Sequence, residues 1–157
     1  METTCLKTPL GTLQISGDTQ GISEVKFADN TVFTGDETPQ ALEEAVQQLK
    51  EYFSKTRTQF SLKLNPEGTE FQKKVWNTLQ TVDFGKTRTY QQIANTLGDP
   101  KVIRAAASAN GRNPIAIIIP CHRIIGSDGS LTGYAGGLDR KKWLLEHESP
   151  IKQGKLF

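Results

Sequence analysis

Apolar residues alternate with polar ones early in the chain and recur at intervals of three and four later on, which predicts a small sheet followed by helices. Strand-like stretches cover Leu13–Ser16, Ile22–Phe27 and Thr31–Phe33. The turn formers between and after them, Gly17-Asp18, Gly21 and Asp29-Asn30, suit antiparallel pairing. Thr38-Pro39 supplies a capping threonine and a first-turn proline for a helix on which Leu42, Val46, Leu49 and Phe53 share one face able to cover the sheet. Phe60, Leu62 and Leu64 alternate as a further strand. Asn65-Pro66-Glu67-Gly68 then reads as the boundary between an α+β lobe, 1–65, and a second lobe, 66–157.

The second lobe reads as mostly helical. Thr69-Glu70-Phe71-Gln72 is a capping box opening a helix whose Phe71, Val75, Trp76 and Leu79 form an apolar face, with Trp76 expected in the core. Thr89-Tyr90-Gln91-Gln92 repeats the box ahead of a short helix that Gly98 stops, and Asp99-Pro100 caps the next, which runs to about Asn110-Gly111. Helix, short turn, helix is the spacing of a helix-turn-helix. The second helix carries Ala105-Ala106-Ala107-Ser108-Ala109 and one long cation, Arg104. So little bulk fits either a tightly packed core helix or one that enters a narrow groove.

Ile115-Ala116-Ile117-Ile118-Ile119, bracketed by Pro114 and Pro120, reads as a buried strand that presents Cys121 at its end. A lone cysteine is commonly a small core residue, so its neighbours must decide. Pro120 restricts the backbone, His122 can accept a proton, and Arg123 is expected to keep the local field positive and favour thiolate. Neighbours on an extended chain face opposite ways, so Cys121 and His122 meet only through a bend or a bridging water, and a water-bridged pair is the working picture.

Ile119-Pro120-Cys121-His122-Arg123-Ile124-Ile125 resembles the active-site motif of the O6-alkylguanine-DNA alkyltransferases. The likeness extends through Thr89–Ala94, Gly98–Lys101, Asn113-Pro114, Gly133–Gly137 and Lys141–Glu148. It implies a ribonuclease H-like front domain and a winged helix-turn-helix-like back domain. It also implies DNA repair by irreversible, stoichiometric transfer of an alkyl group from O6-alkylguanine, and from O4-alkylthymine, to Cys121. In this family's manner His122 takes the thiol proton through water, Glu148 orients the imidazole, and Asn113 ties the turn after the recognition helix to the cysteine. Tyr90 acts on the neighbouring phosphate and the base. Arg104 fills the space of the flipped nucleotide, on a helix laid in the minor groove with Ala105 and Ala106, and with Thr89 and Arg123 also at the DNA. Pro120, Tyr134, Ala135 and Gly136 shape the base pocket. Some relatives carry serine where this chain has Ala135, so that hydroxyl contact to the alkylated oxygen is absent here, and a backbone N–H could serve in its place.

The charge pattern agrees with a polyanionic partner. The 157 residues carry a net charge of +2, but 1–65 hold six Lys/Arg against nine Asp/Glu, whereas 66–157 hold thirteen against eight. No run of 18 apolar residues exists and the first residues lack signal-peptide character, so a cytoplasmic protein without membrane association is expected. The expected partner is duplex DNA containing O6-alkylguanine, bound by a monomer. Cys5 and Cys121 lack metal-ligand spacing, and neither a metal nor a cofactor is expected. A Cys-His-Glu hydrolase of small amides is the alternative, but it leaves the helix-turn-helix and Arg104 unexplained. A DNA-binding relative without repair activity would lack the motif cysteine, which is present here.

Overall fold

The computed structural model describes residues 1–29 and 38–150. The chain divides into two units, one of residues 1–67 with 114–116, the other of 68–113 with 117–157.

The first unit is built on an antiparallel sheet, β1 (Glu2–Thr8), β2 (Gly11–Asp18) and β3 (Gly21–Phe27), in that order. The pairing of β1 with β2 runs from Glu2 opposite Gly17 to Thr8 opposite Gly11, so the alternation read in Leu13 and Ile15 drives both side chains into the core, where each is fully buried. A 3-10 turn, Gln40–Leu42, leads into helix α1 (Glu43–Phe53); Leu42 is buried in the turn and Ala45, Val46, Gln48, Leu49 and Tyr52 in the helix, Tyr52 taking the inward place expected of Phe53, which is half-buried. Pro39 rather than Thr38 stands at the cap, with extended ψ and no capping side chain. The strand expected at Phe60–Leu64 reduces to one bridge, Ile22 with Leu64. The amide of Gln48 takes over as its partner at Ser61, accepting from the Ser61 N–H at 2.8 Å and donating to the Ser61 carbonyl at 3.1 Å. Strand β1 was not among the expected stretches, and Thr31–Phe33 and Asn30 lie outside the described residues.

The second unit begins at Gly68, where a Cβ would lie 2.5 Å from the Trp76 ring, so only glycine fits. Thr69 and Gln72 form the reciprocal capping box of α2 (Glu70–Leu79). The Trp76 indole is buried and donates to the Ala109 carbonyl at 2.8 Å, pinning α2 to the helix that carries Ala109. Thr89 and Gln92 repeat the box for α3 (Tyr90–Thr96), Gly98 ends that helix's turn at φ +94, and Asp99 accepts from the Lys101 N–H ahead of a 3-10 turn and α4 (Ile103–Gly111). A two-residue parallel pair, β4 (Arg88–Thr89) with β5 (Ile124–Ile125), follows the Cys121 turn on one side and precedes Tyr90 on the other. Helix α5 (Leu138–Glu148) buries Lys141, Leu144, Leu145 and Glu148. The whole is α+β, an antiparallel sheet unit and a mostly helical one.

The expected strand Ile115–Ile119 is absent. Of this run only the backbone around Ile115 forms a bridge, to Val25 on β3, which donates to the Pro114 carbonyl and accepts from the Ala116 N–H, both at 2.9 Å. The chain then turns through Ile117 at φ +72, a conformation that β-branched residues seldom adopt. Every isoleucine of the run is buried nonetheless, which is why the segment imitates a strand in sequence.

Candidate active site

Cys121, His122 and Arg123 make one 3-10 turn behind Pro120, closed by hydrogen bonds from the Cys121 N–H to the Ile119 carbonyl (2.8 Å) and from the Arg123 N–H to the Pro120 carbonyl (3.0 Å). The backbone therefore bends at the cysteine. All three side chains are buried, and His122 is wholly enclosed.

Helix α5 delivers the partner that holds this turn. Glu148 accepts from His122 Nε2 at 2.7 Å, and Arg123 grips the same carboxylate through Nε (2.8 Å) and Nη2 (3.0 Å) while its Nη1 donates to the Val82 carbonyl at 2.6 Å. Burial alone would raise the pKa of Glu148, but the charges and hydrogen bonds of His122 and Arg123 prevail and hold the group well below the usual carboxylate range. It is an anion at any neutral pH. With Nε2 bound to Glu148, Nδ1 is the imidazole nitrogen left to receive a proton, and it is buried with no hydrogen-bond partner among the described residues.

Around Cys121 burial dominates and pushes the thiol pKa up; the hydrogen bond from Asn113 and the charge of Lys141 pull the other way. Asn113 also donates to the Ile119 carbonyl at 2.8 Å, so one amide spans both ends of the turn that presents the sulfur. Lys141 is buried, and its ammonium is held by the carbonyls of Ile124 (2.6 Å) and Thr132 (2.8 Å) and lies 5.9 Å from the Tyr90 ring. Burial lowers its pKa to about 8, against the opposing pull of Cys121. Asn110, also buried, directs Nδ2 toward the Cys121 carbonyl at 3.5 Å.

A cavity of about 720 Å³ opens between α3 and α4 on one side and the loop 132–135 on the other. Tyr90, Ile103, Arg104, Ala107 and Asn110 form the first wall, and Thr132, Gly133, Tyr134 and Ala135 the second. Cys121 does not line the cavity; its carbonyl lies 3.5 Å from Nδ2 of Asn110, which does. Tyr90 donates to the Thr132 carbonyl at 3.1 Å, which ties the two walls together. Burial raises the Tyr134 pKa well above the phenol range, so its hydroxyl keeps its proton.

Several sequence expectations need correction. Arg123 is neither at a DNA-facing surface nor the source of the field at the thiol: it is buried and spent on Glu148 and Val82, and the cation acting on Cys121 is Lys141. Ala106 is fully buried on the inner face of α4, whereas Arg104 and Ala105 are exposed. Thr89 spends its hydroxyl on the helix cap. Pro120 and Gly136 lie outside the cavity wall; Pro120 precedes the cysteine turn, and the Gly136 carbonyl accepts from Arg140. Lys141 and Asn110 were missed. For Lys141 a signal existed, since Lys141, Leu144, Leu145 and Glu148 recur at the three- and four-residue spacing of an inward helix face. Asn110 carried none.

Comparison with known proteins decides what this arrangement belongs to. The family model described as the DNA-binding domain of 6-O-methylguanine DNA methyltransferase matches residues 70–150, and the one described as the ribonuclease-like domain of that protein matches residues 1–66. The chain belongs to the 6-O-methylguanine DNA methyltransferase family. Among relatives of this family, the methylated-DNA--protein-cysteine methyltransferase of Methanosarcina acetivorans is 48% identical over 147 residues, covering 90% of this chain and 94% of its own. That of Mycolicibacterium paratuberculosis is 46% identical, covering 89% and 87%. The crystal structure of Mycobacterium tuberculosis O6-methylguanine methyltransferase superposes with a TM-score of 0.85 at 40% identity over 99% of this chain and 96% of that one. The structure of Mycobacterium tuberculosis OGT in complex with DNA superposes with a TM-score of 0.86 at 42% identity over 94% and 92%. Like these methyltransferases, the chain combines a sheet unit with a mostly helical one. Among the described residues, no group of three His, Cys, Asp or Glu side chains gathers as a metal site, and no helix is long and apolar enough to cross a membrane.

Proposed function

We propose that this protein repairs DNA by transferring the alkyl group of O6-alkylguanine to Cys121, once per molecule. The observation that carries the reading is the chain of contacts from Glu148 through His122 to the Cys121 turn, next to a cavity large enough for a purine.

The resting thiol is kept neutral by burial, which protects it from adventitious oxidation. For transfer, the Sγ proton passes by way of a water to His122 Nδ1, and Glu148 stabilises the imidazolium that results. The thiolate attacks the alkyl carbon, a C–S bond forms, and the C–O6 bond breaks with its electron pair left on the base oxygen. A proton from Tyr90 or water, arriving as that charge grows, completes the leaving base. The product is a thioether, which offers water no acyl-like carbon to attack, so the protein is consumed.

O6 lies on the paired edge of guanine, so the nucleotide must leave the duplex before it can enter the cavity. Arg104, exposed and on the cavity wall, is placed to fill the space left behind, and the slender helix α4 suits the minor groove. Tyr90 exchanges its Thr132 bond for the DNA phosphate or the base, and Tyr134, with Ala135 beside it, closes on the guanine edge. A single copy supplies every group named, which supports a monomer. A reduced thiol nucleophile suits the cytoplasm.

Incubation with duplex DNA carrying labelled O6-methylguanine tests the reading. The expected result is one label per protein, on Cys121, with no turnover, and Cys121→Ala should abolish transfer while DNA binding persists. Release of several methyl groups per molecule, or turnover of an amide or ester, would replace it with the hydrolase reading.

A further inference from the structure

One carboxylate oxygen, Glu148 Oε2, accepts from two side chains at once: His122 Nε2 at 2.7 Å and Arg123 Nη2 at 3.0 Å. Arg123 Nε takes the other oxygen at 2.8 Å. The proposed base of Cys121 therefore leans on an oxygen whose charge is already divided. Arg123 is held to this task, since its Nη1 donates to the Val82 carbonyl at 2.6 Å and its Cζ stands 5.9 Å from the Phe84 ring. All three side chains of the cluster are buried, where one charge acts on another with little screening. Orienting the imidazole requires one acceptor oxygen. A bidentate cation on the same carboxylate does more than orient.

We infer that Arg123 is a positioning residue that keeps the His122–Glu148 pair from holding an extra proton, and so leaves the imidazole free to take the proton of Cys121. This rests on the alkyl-transfer reading above and adds to it the residue that sets where the base becomes available. A buried carboxylate facing an imidazole alone is one uncompensated charge in a dry site, and the pair neutralises it by binding a proton. With the guanidinium in place the carboxylate is already compensated, and an added proton would leave a net positive charge instead. Both nitrogens bond the same oxygen, so the cation is also near enough to oppose an imidazolium directly.

The other groups around the turn hold one charge state below pH 8. Tyr134, acted on by Cys121, Glu148 and Arg140, keeps its proton; Lys141, from α5, loses its charge only at about 8; and burial raises the Cys121 thiol. Asp83, between the two residues that hold Arg123, is exposed. His147, the other histidine of the chain, stacks on Trp143 with ring centroids 4.7 Å apart.

The test is the rate at which Cys121 takes the benzyl group from O6-benzylguanine, followed across the histidine range from about pH 5 to 8. Each profile is scaled to its own upper level, so partial misfolding cancels. Arg123→Met should move the acid limb to higher pH by about one unit or more, as loss of a cation beside a titrating pair does. Scaled rates below the limb then fall about tenfold. Arg123→Lys keeps a buried cation but lacks the second donor to Oε2, and should move the limb in the same direction by less. His147→Gln should leave it in place. A residue that only supports the fold changes the amount of active protein and not the midpoint. An unmoved limb in whichever Arg123 variant folds, a limb moved to lower pH, or a limb that follows His147 therefore overturns the role of Arg123. Failure of the unaltered protein to take the benzyl group onto Cys121 would instead overturn the alkyl-transfer reading.

Discussion

His122 and Glu148 stand 26 positions apart in the chain and 2.7 Å apart in the structure, with Arg123 gripping the far side of the same carboxylate. A buried imidazole and a buried guanidinium hold one buried anion, so the fold and the proposed base of Cys121 depend on the same carboxylate. Glu148→Gln leaves Arg123 buried without its counter-charge. Removing one partner of such a pair costs about 3–5 kcal/mol, which for a chain of this size is a fall in melting temperature of roughly 6–20 °C. Transfer to Cys121 should slow by about 10–100-fold, as when an orienting partner is lost. A calorimetric scan beside a single-turnover rate measurement checks both.

The acid limb of stability follows from the same group. The folded pKa of Glu148 is depressed, so its contribution is complete above the ordinary carboxylate value of 4.5 and is lost as pH falls below it toward the folded value. Denaturant titrations between pH 7 and pH 3 should show stability falling chiefly below about pH 4.5, and the Gln variant should show a shallower fall.

Lys141 should shape the alkaline limb of the reaction. Its charge assists ionisation of Cys121 and is lost as pH rises through about 8, just as the solution begins to favour thiolate. The logarithm of the rate with O6-benzylguanine should therefore rise with pH and bend near 8. Lys141→Met should remove the bend and lower the neutral rate by about tenfold, as for loss of a positioning partner. The fold should not weaken through this group over the same range. With a depressed folded pKa, the unfolded chain binds more protons above about 8, and the Lys141 contribution to stability rises there.

Arg104 is exposed and its helix depends on other residues for packing. Arg104→Ala should leave the melting temperature within about 1–2 °C, since exposed substitutions cost less than about 0.5 kcal/mol. Repair of duplex DNA should slow far more than reaction with free O6-benzylguanine, which needs no flipping. Equal losses on both substrates would remove Arg104 from the flipping step.

Methylation of Cys121 should destabilise the protein it completes. The Cys121 side chain is buried and hydrogen-bonded by Asn113, and adding carbon to a filled site costs about 1–3 kcal/mol. A melting temperature lower by roughly 2–12 °C is expected, more for a benzyl group than for a methyl group. An unchanged or higher value after complete alkylation would mean that the site holds spare volume.

The sequence by itself determined the local events: both capping boxes, the glycine stop at Gly98, the inward faces of α1 and α2, and the candidate cysteine with its adjacent base. These depend on residues within about one helical turn or one strand pair of each other, where period and capping chemistry act directly. Tertiary structure decided the rest. Ile115–Ile119 has the apolar run of a strand, but partners for its backbone exist only beside Val25, so it turns instead. Arg123 has the composition of a surface cation, yet the Glu148 carboxylate arriving from α5 makes burial tolerable. Lys141 and Asn110 gain their roles from carbonyls and a cavity wall contributed by segments far away in the chain. Periodicity reports which face of an element is covered; it carries no information on what covers it, and the electrostatics of the cysteine are set by what covers it.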